Sequence, residues 1–154
     1  MRYKIERMIF MTAKQYLQQS FRLKMKIDMK QLKLEQLRAL AESVSSPDLS
    51  KDRVQTSGAS DKIGGAVAKI VDLENEIKGE IEKFVQLERE IRQRVYKMPD
   101  DDLRIIIEKR YINFQKWEQI AVDMNYGFQW VHKLHKRALN IFSIIYQQAI
   151  EGEC

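Results

Sequence analysis

The chain of 154 residues is short of cysteine, proline and glycine, with one, two and six of them, and it has no long apolar run. Each shortage removes a class of protein. Cys154 has no second thiol to pair with, which excludes an intrachain disulfide framework or a multi-thiol metal site and makes a reducing, intracellular setting the expectation. No stretch approaches the roughly 18–20 apolar residues of a membrane-spanning helix. The basic start MRYKIERMIF has no signal-peptide apolar region or cleavage site behind it, so a soluble, cytoplasmic protein is expected. Few helix breakers, with Lys, Glu, Gln, Leu and Ile abundant, predict an all-α chain. A Gly-rich phosphate loop, a nucleophile elbow, a His-Glu-x-x-His zinc motif and a Cys cluster are all missing, so neither an enzyme nor a cofactor is expected.

The net charge of +5 is unevenly spread. Ten basic residues stand against four acidic ones across 1–45, ten against ten across 46–99, and seven against eight across 100–154. Within 125–149 there are three basic residues (Lys133, Lys136, Arg137), two histidines and no acid, so that one face is cationic although its segment is not.

Residues 1–11 lack a clear pattern and read as an unstructured or over-extended start, because Thr12 can cap a helix that begins just after it. From there to Val44, Tyr16, Leu23, Ile27, Leu34, Leu37 and Ala41 recur at helical spacing, interrupted at Lys30. A polar loop follows at about 45–61, rich in Ser, Asp, Gly and Pro. A second long helix, about 62–98, carries Ile63, Ile70, Ile77, Phe84, Ile91 and Met98 at heptad spacing. Val67, Ile81 and Val95 read as its alternate seam positions, with Leu73 and Leu87 flanking Glu74 and Glu88. Residues 12–98 are thus expected to form a long antiparallel helical hairpin, and the apolar seam of 63–98 predicts a homodimer through it, as a four-helix arrangement.

Pro99 ends the second helix, and Asp100-Asp101-Asp102 opens a third, about 101–112, that buries Leu103, Ile106, Ile107 and Tyr111. Capping explains the three acids better than metal binding does. Residues 99–150 then read as a helix-turn-helix domain. Ala121 is the small residue that two crossing helices need, with Ile120 and Met124 beside it, Val131 and Leu134 facing it, and Tyr126 filling the corner. Asn125 supplies the turn residue with positive φ, and Gly127 the N-cap of a helix over about 128–148. The outward residues of that helix are Phe128, Gln129, Trp130, His132, Lys133, Lys136 and Arg137. Gln129 can pair with adenine, the basic side chains with phosphate or guanine, and Phe128 or Trp130 can touch a thymine methyl. His132 and His135 lie three apart, but no Cys or carboxylate nearby in sequence completes a metal site, and His135 suits helix packing or a phosphate contact better.

Residues 103–139, LRIIIEKRYINFQKWEQIAVDMNYGFQWVHKLHKRAL, resemble region 4 of the sigma-70 family. The matching features are Arg110-Tyr111, then Glu118-Gln119-Ile120-Ala121, then Val131, Leu134, Ala138 and Leu139. Over about residues 12–145 the chain is similar to a phage and prophage family of small proteins with a long helical N-terminal part, a polar Val-Gln-x-Ser-type loop (Val54, Gln55, Ser57) and a sigma-like end. That family resembles the ArpU- and RinA-type regulators of phage late transcription. The resemblance implies a transcriptional regulator that binds double-stranded DNA in a bacterial host, with RNA polymerase as a further partner. It departs from the pattern at Gly127, where a capping hydroxyl is usual, and at Phe128 and Trp130, where polar side chains are usual. Those exposed aromatics suit a rival reading, a non-enzymatic adaptor whose hairpin binds RNA polymerase or a phage packaging component.

Overall fold

The computed structural model describes residues 11–45 and 58–152. Helices α1 (Ala13–Ser45), α2 (Gly58–Val95), α3 (Asp101–Ile107), α4 (Trp117–Asp123) and α5 (Phe128–Gly152) make up nearly all of it, with a π-helical turn, Glu108–Ile112, running straight on from α3. The protein is all-helical, and no strand occurs among the described residues. No helix among them is long and apolar enough to cross a membrane. Residues 1–10, most of the expected loop, and Val54, Gln55 and Ser57 lie outside the described residues. The helix after the loop begins at Gly58 rather than near 62, because an established helix propagates through Gly and Ser more cheaply than composition suggests.

Local chemistry sets the starts. At α1 the Gln15 backbone N–H donates to Thr12 Oγ1 (3.2 Å) while Gln15 Oε1 accepts from the Thr12 backbone N–H (2.9 Å), a reciprocal capping box. At α3 the Asp100 carboxylate accepts from the backbone N–H groups of Asp102 (3.0 Å) and Leu103 (3.3 Å). Asp100 is therefore an N-cap, and Asp101 and Asp102 sit in the first turn where they complement the dipole.

The expected third helix does not stay α-helical to Ile112. It widens after Ile107, with the Asn113 N–H bonded to the Glu108 carbonyl (2.9 Å) and the Gln115 N–H to that of Lys109 (2.9 Å). Phe114 then takes a left-handed φ of 55°, which costs a non-glycine residue about 1–3 kcal/mol. Ring contacts with Phe21 (5.7 Å) and Phe84 (6.3 Å) hold it there. The buried hydroxyl of Ser20 donates to the Tyr111 carbonyl (2.7 Å), so that a carbonyl of the widened turn is satisfied from α1.

The chain packs as two compact units whose boundary falls inside α1 and α2. One contains residues up to Leu23 and from Phe84 onward. Its core joins Tyr16 and Leu17 of α1, Ile91 and Val95 of α2, Leu103, Ile106 and Ile107 of α3, Ile120 of α4, and Val131, Ala138, Phe142 and Tyr146 of α5. The buried Arg94 donates to the Tyr16 hydroxyl (2.7 Å) and lies over the same ring.

The other unit spans Lys24–Lys83, around a small core of Leu34, Leu73 and Ile77 with Leu37 and Ile70 against it. Ion pairs join Lys26 to Glu80 (2.7 Å), Lys30 to Glu76 (2.9 Å) and Arg38 to Glu74 (2.5 Å), so later positions on α1 meet earlier positions on α2. Lys30, which interrupts the apolar pattern, is answered by carboxylates rather than by solvent.

The expected seam of α2 is corrected. Val67 and Ile81 are exposed, while Leu73, Glu80, Leu87 and Arg94 are buried. The buried line thus takes the step of three after Ile70, Ile77, Phe84 and Ile91, and Glu80 and Arg94 occupy places that an apolar pattern assigns to Ile81 and Val95. Val95 is buried as well. Glu80 tolerates its place because the Lys26 ammonium donates to it, which also holds its carboxyl below the ordinary carboxylate range. On α1, Tyr16, Ile27 and Leu34 are buried as expected, but Val44 is exposed.

Candidate nucleic-acid interface

Helices α4 and α5 meet at a turn built from Met124 to Gly127. Ala121 and Ile120 of α4 are buried in one core with Val131 and Leu134 of α5, and Met124 packs against it. The Tyr126 N–H bonds to the Ala121 carbonyl (3.0 Å) and the Asn125 N–H to that of Val122 (3.1 Å), the paired bonds of a Schellman ending. Asn125 takes the left-handed φ this ending requires, 54°. Ala121 therefore has two roles, a small side chain inside the core and a carbonyl that closes the helix.

Tyr126 does not fill the corner. Its ring is exposed, and its hydroxyl donates to Asp102 Oδ2 (2.6 Å) in the first turn of α3. The hydroxyl made this possible, because a tyrosine can leave the core when a carboxylate is within reach of its tip. Gly127 accepts at its carbonyl from the N–H groups of Trp130 (2.9 Å) and Val131 (3.1 Å), as an N-cap does, without a positive φ.

Phe128, Gln129, Trp130, His132, Lys133, Lys136 and Arg137 are all exposed on α5. Lys133, Lys136 and Arg137 make no ion pair among the described residues. Four of the basic residues before them are engaged: Lys109 with Asp123 (2.8 Å), Arg92 with Glu108 (3.8 Å), Arg104 with Asp101, and Arg110 with the Gln115 carbonyl (2.8 Å). Among the described residues, cations without a carboxylate partner here are therefore Lys133, Lys136 and Arg137 on α5, with Lys116 at the start of α4 and Arg110 on the π-helical turn.

His132 is exposed but not free-standing. Its ring lies 4.9 Å from that of Trp117 and 4.6 Å, edge-on, from that of Phe128, and the Arg110 guanidinium caps Trp117 at 4.7 Å. Arg110, Trp117, His132 and Phe128 thus form one ladder from the π-helical turn to the first turn of α5. Sequence reasoning missed Arg110 and Trp117 in this arrangement. Nothing in their spacing signals it, since the contacts cross between elements.

His135 cannot serve as a phosphate contact. It is buried, with Nε2 2.9 Å from the Tyr111 hydroxyl and the Trp117 ring against it at 4.5 Å. Burial, with Lys14, His132 and Arg110 adding positive charge nearby, pulls its pKa down to about 4. Burial pushes Tyr111 up to about 12. The pair is neutral at ordinary pH and belongs to the support of α5. Asp123 plays a related part for α4: its carboxylate accepts from Lys109 (2.8 Å), Gln119 (2.7 Å) and Gln115 (3.1 Å), and the Lys109 bond leads in holding its pKa low. Among the described residues, no group of three or more His, Cys, Asp or Glu side chains is placed to hold a metal ion.

No curated protein and no solved structure matches the chain. A family model described as "Protein of unknown function (DUF1492)" matches residues 43–142, which is more than half of the chain and takes in α2, α3, α4 and the greater part of α5. The chain belongs to the DUF1492 family.

Proposed function

We propose that the protein is a DNA-binding transcriptional regulator of phage or prophage genes, with α4 and α5 as a sigma-region-4-like helix-turn-helix and no catalytic step. In this reading α5 enters the major groove. Gln129, Lys133, Lys136 and Arg137 reach base edges and phosphates, Phe128 and Trp130 lie at the margin, and His132 sets the position of Phe128 rather than reading a base. Residues of α1 and α2 form an antiparallel helical hairpin, a reading supported by the falling order of the ion-pair partners on α2.

The observation that carries the proposal is the outer face of α5, where three cations without ion-pair partners among the described residues share an acid-free stretch with an exposed glutamine. Duplex DNA is the partner that unneutralised charge of this kind suits best. Binding of the full chain to a random-sequence duplex at low and moderate salt tests it. Three phosphate contacts predict a loss of roughly 40-fold in affinity for a fourfold rise in salt. Replacing Lys133 and Lys136 with Glu should abolish binding and leave the melting temperature unchanged. No binding at low salt would overturn the reading.

A second reading, a protein-binding adaptor for RNA polymerase or a packaging component, is favoured by the exposure of Phe128 and Trp130, each about half accessible. It predicts no salt-dependent duplex binding and loss of partner capture in Trp130→Ala.

A further inference from the structure

We propose that the outer face of α1 between Met25 and Leu40 is a self-association surface, and that its partner is the same face of a second copy lying parallel. This does not rest on the DNA-binding reading, and it moves the homodimer seam expected from residues 63–98 onto another helix. Leu34 and Leu37 pack against Leu73, Ile77 and Ile70 of α2. Met25, Met29, Leu32 and Leu40 lie around the other side of α1, on the order of half a turn away at about 100° per residue. They are 49%, 70%, 57% and 62% exposed. Apolar side chains scattered singly need no explanation, but a row at steps of four, three and eight along one helix face does.

The charges beside the row identify the occupant. With Met29 and Gln36 at a positions and Met25, Leu32 and Ala39 at d positions of a heptad, the g positions are Asp28, Glu35 and Glu42, and the e positions include Lys26 and Lys33. One flank is acidic, and the other carries Lys26, already paired with Glu80, then Lys33 and Leu40. In an antiparallel pair g faces g, so the acidic rows would oppose each other. In a parallel pair g faces the e position of the following heptad, which sets Asp28 opposite Lys33 of the second copy, twice by symmetry. Lys33 makes no ion pair among the described residues, and Asp28 has only an exposed partner one turn back, Lys24 at 2.9 Å, which it can exchange at little cost. The exposed Gln36 at an a position suits a pair in which like meets like, as a polar residue at that place fixes register. A parallel pair also has the two-fold symmetry that two half-sites would need.

The test uses the full chain carrying Cys154→Ser. Sedimentation from micromolar to submillimolar concentration should show a reversible dimer, and Met29→Glu with Leu32→Glu should be monomeric throughout with its thermal melt at dilute concentration unchanged. Lys33→Glu should weaken dimerisation by roughly tenfold, and adding Asp28→Lys should restore it. Leu32→Cys should form a disulfide-linked dimer on mild oxidation, because d positions meet their own counterparts only in the parallel pair. A wild-type monomer at submillimolar concentration, a dimer that survives both glutamates, or a dimer in which Leu32→Cys does not cross-link would each overturn the proposal. If the double-glutamate variant failed to fold, the charge-reversal cycle and the cysteine would still decide it.

Discussion

The hydroxyl of Tyr126 donates a 2.6 Å hydrogen bond to Asp102, tying the turn between α4 and α5 to the first turn of α3. The bond favours the neutral phenol and raises the Tyr126 pKa, led by that hydrogen bond and then by the Asp102 charge. A group whose folded pKa is raised contributes stability below its unfolded pKa and loses it as pH rises through the folded one. Tyr126→Phe should therefore lower the melting temperature near neutral pH, and the difference from wild type should shrink in strongly alkaline solution. Equal melting temperatures at neutral pH would show that the bond contributes nothing.

Ala121 is buried in the core where α4 meets α5. Ala121→Leu should overpack the contact with Val131 and Leu134 and cost about 1–3 kcal/mol, read as a lower urea midpoint with an unchanged slope. Val122→Leu, one position on and exposed, should cost almost nothing.

Acid should loosen the support of α5 through His135. Its folded pKa of about 4 lies below the ordinary value of 6.5, so the stability it contributes is complete above about 6.5 and is lost as pH falls toward 4. The loss should be on the order of 2 kcal/mol after allowance for local relaxation. Denaturation of the wild type and His135→Phe at neutral and mildly acidic pH measures it, and the variant should show a smaller fall. An identical fall would assign the acid sensitivity to carboxylates instead.

Gly127 stands at an N-cap without a positive φ, and a Cβ placed on it meets no atom within 4 Å. Gly127→Ser and Gly127→Asp should both stabilise the chain by a few tenths of a kcal/mol, with Asp gaining about as much again from the helix dipole. Only the aspartate should weaken duplex binding, since it adds an acid beside Lys133 and its neighbours. That separation would be read from melting and binding curves of the same two variants.

What could be read from the sequence follows the reach of each interaction. The Thr12 and Asp100 caps, the left-handed Asn125 and the burial of Ala121 depend on residues within a few positions, and local patterns specify them. Glu80 and Arg94 were hidden, because a charged residue enters a seam only when a distant partner is waiting. For Glu80 that partner is Lys26, and for Arg94 it is the Tyr16 hydroxyl. Ile81, with the better letter, stays outside. The widening after Ile107 was invisible too, since Glu108 to Ile112 are ordinary helix formers and the reason for the turn lies in Ser20 and in the rings around Phe114. The Trp117 ladder fails the same way: its members are remote in sequence and meet only once the core has formed.

The small core of the unit formed by residues 24–83 has a kinetic corollary. Four buried aliphatic side chains among the described residues, Ile27, Leu34, Leu73 and Ile77, and a set of mostly exposed ion pairs hold it, whereas α3 inserts Leu103, Ile106 and Ile107 into a core shared by every helix of its own unit. Backbone amides around Leu34 and Ile77 should therefore exchange with solvent deuterium through low-energy local openings that salt promotes, while those of Ile106 and Ile107 should exchange only when their whole unit unfolds. Within these helices, limited proteolysis should cut 24–45 or 63–83 before it cuts the segment from α3 to α5. The protein would then live as two clocks on one chain, a fast one in the middle of its long helices and a slow one around α5.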